Sequence, residues 1–151
     1  MIRRLLRAYP WWWRGHLRLG LIENELVFNP ADDKRDSRTI AELRSAGEAV
    51  LTLLDERRGS HEERSLAHYF VHAAEFYSGD YSRALLGLRE LLSATKDRGQ
   101  LSLSFRVQAC ELAGASAMVL GDNEAAASYF TDIPAKLRNA RVIEAISYLR
   151  S

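Results

Sequence analysis

The stretch Ala67–Ala84 reads AHYFVHAAEFYSGDYSRA, and 42 residues later the stretch Ala109–Ala126 reads ACELAGASAMVLGDNEAA. Each has apolar residues at helical spacing, then Gly-Asp, then a second helical segment with Ala four residues after the Asp. A helix–turn–helix unit of this size cannot bury its apolar face alone, so neighbouring copies stack on one another. The repeat therefore predicts an array of packed helix pairs.

The composition also favours helices. Leu and Ala together supply 42 residues, against 12 for Val and Ile, and β-branched residues lose rotamer freedom on a helix. No alternating stretch bounded by hairpin turns indicates a strand. A chain of 151 residues is typical of one domain. We therefore predict a single all-α domain over residues 1–151.

The breaks in the apolar pattern set the expected helix boundaries. They give three antiparallel pairs, at about residues 10–57, 61–97 and 102–133, and a terminal helix at about 135–150. Pro134 separates the terminal helix from the third pair, because proline removes a helix donor.

Two kinds of end signal support these boundaries. Ser60 and Glu63 have the spacing of a capping box, which begins the second pair. Gly79 and Gly121 each end a helix, since glycine readily takes the left-handed conformation, and the Asp that follows caps the next helix.

The two aligned pairs resemble tetratricopeptide repeats. In that family a small residue lies midway along the first helix, Gly-Asp forms the turn, Ala begins the second helix and a large apolar residue follows. The third pair has all of these features: Gly114, Gly121, Asp122, Ala126 and Phe130. The second pair has most of them: Gly79, Asp80, Ala84 and Leu88. Its His72 stands where a small residue is usual. The period of 42 is similar to the longer repeats of some bacterial transcription activators.

The resemblance implies a right-handed α-α superhelix whose first helices line a concave side that binds a partner. Aligned on the family, the candidate partner-binding residues are Arg14, Tyr69, Phe76, Gln108, Glu111 and Met118. Such a surface suits a helix or an extended peptide. The alternative is a shallow groove that the terminal helix of the chain itself partly fills.

The N-terminal segment is a second candidate surface. Residues 1–22 hold five arginines and no acid, although the net charge of the chain is only +1. A basic aromatic patch is expected there: Arg3, Arg4, Arg7, Trp11 and Trp12. Residues 11–13 are all Trp and point about 100° apart on a helix, so one neighbour cannot cover all three. The patch is consistent with base stacking, with a membrane surface, with self-association, or with burial of most of the rings.

His68 and His72 lie one helical turn apart, followed by Glu75, and this face has the residue types of a divalent metal site. Ordinary hydrogen bonds at a helix interface explain the same spacing, and we predict no metal. We also find no Gly-x-Ser-x-Gly elbow and no phosphate-binding glycine loop. The expectation is a chain that is not an enzyme and carries no cofactor.

Cys110 is the only cysteine, which is compatible with a reducing compartment, so a cytoplasmic location is expected. No apolar run is long enough for a membrane span.

The sequence thus favours a non-catalytic protein–protein interaction module that binds a peptide, a helix or another copy through its concave face or exposed ends. The alternative is a regulatory or nucleic-acid-associated domain that uses the N-terminal patch. A metal-dependent enzyme built on His68 and His72 is the third hypothesis.

Overall fold

The computed structural model of the chain describes residues 1–28, 36–54, 60–96 and 99–151. Within these ranges the chain forms eight α-helices, one short 3-10 helix at Ala135–Leu137 and no strand. The α-helices are α1 (Ile2–Ala8), α2 (Trp13–Phe28), α3 (Ser37–Leu54), α4 (His61–Tyr77), α5 (Tyr81–Thr95), α6 (Leu103–Val119), α7 (Asn123–Asp132) and α8 (Ala140–Arg150). The all-α prediction is confirmed. The predicted ends of the first two pairs, at 57 and 97, lie outside the described residues.

The Gly-Asp turns at Gly79 and Gly121 have the same geometry. Their φ angles are 86° and 82°. In both turns the N–H of the Asp that follows donates to the carbonyl five residues earlier, at 2.9 Å, which is the bond of a Schellman motif. The side chains of Asp80 and Asp122 each accept a hydrogen bond from the N–H three residues later. The sequence repeat is therefore also a repeat of local structure.

The remaining caps follow the same local chemistry. Ser60 and Glu63 form the predicted capping box at the start of α4, because each side chain bonds the backbone N–H of the other residue. The Ser102 hydroxyl accepts a hydrogen bond from the N–H of Phe105 and begins α6.

The helices of a pair pack closely because a glycine faces a ring. An ideal Cβ built on Gly87 of α5 lies 2.1 Å from Cε1 of His72 on α4, and one built on Gly114 of α6 lies 2.7 Å from Cε1 of Phe130 on α7. In each pair, the two contacting residues are separated from the Gly-Asp turn by nearly the same number of residues, one before the turn and one after it. The helices α4 and α5 therefore run antiparallel, and so do α6 and α7.

The first helices of successive pairs also contact one another, α2 with α4 and α4 with α6. Phe70 of α4 covers Gly20 of α2, and the ring centroids of Tyr69 and Phe105 are 5.4 Å apart. Further along, Phe76 of α4 lies across from the second half of α6. The contacting residues come later in α6 as they come later in α4, so the two helices run in the same direction.

The opening helix differs from the prediction at its start. It was expected at about Pro10 and begins at Trp13. The N–H of Trp12 donates to the carbonyl of Tyr9 at 3.1 Å, and the N–H of Trp13 donates to that of Trp11 at 3.0 Å. These short-range bonds form tight turns, so residues 10–12 lie before the helix.

The terminal helix differs too, since it begins at Ala140 and not at about 135. The guanidinium of Arg138 donates to the carbonyls of Ile133 and Thr131 at 2.9 and 3.0 Å, which holds residue 138 in an extended conformation after α7. The Asn139 side chain then accepts a hydrogen bond from the N–H of Val142, the third residue of α8, and acts as the cap.

One continuous apolar core extends from Val27 of α2 to Ile146 of α8 and includes residues of every α-helix between them. A smaller cluster of Val50, Leu54 and Ala67, with Trp13 packed against it, joins α3 to α4 and the start of α2. Among the described helices, none has the length and apolar content needed to cross a bilayer.

Candidate binding groove

A groove lies on the face of the molecule that α4, α6 and α8 form together. Its deeper part has a volume of about 340 Å³, and an adjoining depression of about 460 Å³ shares Met118, Arg141 and Ala145 with it. The walls of the deeper part are mostly apolar, and its lining includes Phe28, Phe76, Tyr77, Leu112, Ala115 and Met118. The shallower part adds Asn123, Glu144 and Tyr148. We call these two depressions together the α6/α8 groove.

The helical repeat explains why α6 lines this groove. Glu111, Ala115 and Met118 recur every three or four residues, so they lie along one side of the helix. Ala115 and Met118 are half-buried and form the floor. The small side chain of Ala115 leaves the floor open beside Phe76 of α4.

Glu111 fixes the position of α8. Its Oε2 accepts a hydrogen bond from Asn139 at 3.0 Å, and its Oε1 pairs with Arg141 at 3.1 Å. The Arg141 guanidinium also lies 5.7 Å from the centre of the Phe28 ring. Arg141 remains more than half exposed, with a side-chain accessibility of 59%. The groove therefore has one cation on its wall, and that cation is paired with the carboxylate beside it.

The structure brings together three of the predicted concave-face residues, Phe76, Glu111 and Met118, in this groove. The terminal helix forms one of its walls through Val142 and Ala145. The sequence left open a groove partly filled by the chain's own last helix. This is what the structure has on one side of the groove, where α8 forms the wall. The other side remains open to solvent.

Two other predicted residues lie in a buried polar cluster. The Tyr69 hydroxyl and the Asn24 amide both donate to Oε1 of Gln108, at 2.8 and 3.0 Å. Tyr69 has no exposed surface, and burial raises the pKa of its hydroxyl well above the ordinary value. Tyr69 therefore joins α4 to α6 and offers nothing for a partner to contact.

Arg14, the sixth predicted residue, is not part of the groove. It is exposed, and its guanidinium lies 4.9 Å from the centre of the Trp13 ring. It was assigned to the concave side on the expectation that α2 occupies the same place in its pair as α4 and α6.

Sequence reasoning missed the groove residues outside the first helices of the pairs, above all Arg141 and Ala145. Both belong to α8, whose start was placed too early. The Asn139-x-x-Val142 spacing of a helix cap is the signal that would have located it.

The N-terminal patch is only partly available. Arg3 donates two hydrogen bonds to Oε2 of Glu42, at 2.9 and 2.8 Å, and also pairs with the buried Glu23. Its charge is therefore balanced by carboxylates of α2 and α3. Arg4 and Arg7 are exposed on α1.

The three successive tryptophans have different surroundings. Trp11 is 66% exposed and meets Tyr9 edge to face, with ring centroids 5.8 Å apart. Trp12 folds back over Gly15, and Trp13 packs against the smaller apolar cluster. One ring of the three is therefore presented to solvent.

Two of the three histidines of α4, His68 and His72, form a packed pair. The rings of His68 and His72 are stacked with centroids 6.2 Å apart, and Nδ1 of His72 is 2.7 Å from Oε1 of Glu75. In the ranges that the structure describes, no group of three His, Cys, Asp or Glu side chains is placed to hold a metal ion. Cys110 is buried, which raises the pKa of its thiol to about 11. A thiol held neutral is a poor nucleophile.

Comparison with protein-family models, with curated proteins and with solved structures finds no match for this chain.

Proposed function

We propose that this chain is a non-catalytic interaction module, built as a tetratricopeptide-like right-handed array, and that the α6/α8 groove binds a helical segment of a partner protein. The single observation that carries the proposal is the open, mostly apolar floor of the groove at Phe76, Ala115 and Met118. Apolar surface of this kind, gathered in a cleft, is typical of a binding site.

A helix suits the groove better than other occupants because the chain already packs one beside it. α8 lays Val142 and Ala145 on this face and is held by Glu111. The side of the groove opposite α8 extends along α6 past Ala115 and Met118. A helix with apolar residues on one face fits such a surface.

The nucleic-acid alternative has less support. Arg3 is already paired with Glu23 and Glu42, which leaves Arg4 and Arg7 as the exposed cations of the patch. A phosphate backbone is held by several cations acting together. We also place the module in the cytoplasm, on the sequence grounds given above.

Site-specific photo-cross-linking in the native cell tests the proposal. Met118→p-benzoylphenylalanine places the reactive group on the groove floor, and Ser82→p-benzoylphenylalanine on the exposed side of α5 is the matched control. We expect position 118 alone to cross-link to another protein, at a peptide with apolar residues at helical spacing. Adding Ala115→Glu, which fills the floor and brings a charge, should abolish that cross-link.

Three results contradict the proposal. Cross-linking to a second copy of the chain alone indicates self-association through this face. Cross-linking to a peptide without helical periodicity indicates an extended ligand. Equal cross-linking from positions 82 and 118, or none from either, means that the groove is not a binding surface.

A further inference from the structure

A second depression, of about 570 Å³, lies between α5, α6 and α7 and shares no lining residue with the α6/α8 groove. Three of its lining side chains are cations, Arg89, Lys96 and Arg106, and one is an acid, Asp132. Arg89 and Lys96 are two helical turns apart with Ser93 between them, so all three lie on one side of α5, with Lys96 as its C-cap residue. We call this depression the cationic pocket.

Arg106 is held rigidly at the wall of this pocket. Its guanidinium donates to the Thr95 hydroxyl at 3.0 Å and to the Leu92 carbonyl at 3.2 Å. Both acceptors are neutral, so the contacts orient the half-buried cation without cancelling its charge. Further N–H groups of the guanidinium are left for a ligand.

Within the described residues, the other two cations form no ion pair either. Arg89 donates to the Tyr129 hydroxyl at 3.2 Å, and this hydrogen bond, together with the nearby carboxylate of Asp122, raises the pKa of Arg89. Buried Cys110 at the base is a neutral thiol and adds no negative charge. The lining therefore carries an excess of two positive charges, which attracts anions into the cavity.

We infer that the cationic pocket binds the phosphate group of a small organic phosphate. Guanidinium and ammonium groups are the usual partners of phosphate, and the Ser93 hydroxyl adds a donor on the same side of α5. The apolar part of the lining, which includes Leu92, Leu103, Val107 and Ile133, suits the organic part of the ligand. The volume is sufficient for a ligand of mononucleotide size. This inference does not depend on the proposed function of the α6/α8 groove.

Binding of adenosine 5′-monophosphate, inorganic phosphate and adenosine at millimolar concentration tests the inference, with calorimetry for affinity and backbone amide NMR for position. We expect the nucleotide to bind, to shift the amides of Ser93 and Val107, and to weaken as salt is raised. Adenosine, which lacks the anion, should not bind. Inorganic phosphate binding as tightly as the nucleotide also supports the site and assigns it to free phosphate.

The variant for this test is the double change Arg89→Gln and Lys96→Gln. Both side chains are exposed, and the change leaves in place the hydrogen bonds from Arg106 to α5. It should weaken nucleotide binding about tenfold or more. The double change Arg4→Gln and Arg150→Gln removes the same charge outside the pocket and should leave the affinity unchanged. The inference is overturned if none of the three probes binds, if adenosine binds as well as the nucleotide, or if both double variants lose affinity equally.

Discussion

His72 and Gly87 face each other across the contact between α4 and α5. A histidine on the first helix of a pair needs room, and the absent side chain of Gly87 supplies it. In the next pair the roles are exchanged, because Gly114 on the first helix receives Phe130 from the second. Each pair therefore combines one glycine with one ring. This explains how His72 is accommodated where tetratricopeptide repeats have a small residue.

The first prediction concerns the change Gly87→Ala. Its Cβ would lie 2.1 Å from the His72 ring, so the ring must move and lose its bond to Glu75. We expect the free energy of unfolding, measured by urea titration, to fall by about 1–3 kcal/mol. In a His72→Ala background the same change should instead stabilise by about 0.5–1 kcal/mol, because alanine favours the helix more than glycine does.

Leu86→Ala is the control for this pair of measurements, since Leu86 is an exposed neighbour on the same helix and should matter little. If Gly87→Ala has the same sign in both backgrounds, the ring and the glycine are not coupled.

At the scale of elements, α1 is attached to the helix pair α2–α3 through a carboxyl pair. Arg3 of α1 bonds both Glu23 of α2 and Glu42 of α3. Glu23 is fully buried, and burial together with the neighbouring Glu42 raises its pKa to about 7. Burial acts to raise the pKa of Glu42 as well, but its hydrogen bonds to Arg3, Glu23 and Arg38 outweigh this and lower it.

These shifts set the second prediction, a pH dependence of stability. Between about pH 4.5 and pH 7 the folded chain keeps the Glu23 proton, whereas the unfolded chain has lost it, so stability falls as the pH rises through this window. The contribution of Glu42 is opposite and is lost below its ordinary pKa. Glu23→Gln mimics the protonated side chain and should remove the fall.

Urea unfolding from pH 5 to pH 8 measures this effect. The stability of the Glu23→Gln variant relative to the native chain should rise over that range and level off above pH 7. Glu48→Gln removes an exposed carboxylate of α3 and is the control. Native and Glu23→Gln curves that run parallel would show that Glu23 is already ionised at pH 5.

How far the sequence predicts these elements depends on the kind of interaction that sets each boundary. The Gly79 and Gly121 turns and the Ser60 cap depend on backbone and cap hydrogen bonds within six residues, so their positions follow from local patterns. The Asn139 cap of α8 is a local signal of the same kind, but the side-chain bonds from Arg138 to two backbone carbonyls near the end of α7, which keep residue 138 out of the helix, do not follow from a local pattern.

The same reasoning applies to the candidate groove. Phe76, Glu111 and Met118 were predicted because the alignment on tetratricopeptide repeats assigns them to the concave side of the first helix of each pair. Arg141 was not, since it reaches the groove only through the docking of α8. Tyr69 is buried by the side chains that neighbouring helices place around it, and a helical repeat alone does not reveal that.

At the scale of the whole molecule, the helices share one apolar core from α2 to α8. A linear array whose units contact only their neighbours can unfold in parts, whereas a shared core favours a single transition. The three tryptophans, all at positions 11–13, make this distinction measurable. Their fluorescence reports the N-terminal end alone, while far-ultraviolet circular dichroism reports every helix.

The third prediction in this series uses Gly121→Ala, a change at the opposite end of the chain from the tryptophans. Gly121 has a φ of 82° and open space around its Cβ position, so the cost is backbone strain of about 1–2 kcal/mol. This should lower Tm by about 2–8 °C for a chain of this size.

Because the core is shared, the fluorescence and dichroism midpoints should fall together. Gly79→Ala changes the same turn in the earlier pair and should lower both midpoints equally. A fluorescence midpoint that stays unchanged in Gly121→Ala while the dichroism midpoint falls would mean that the N-terminal helices unfold separately from the third pair.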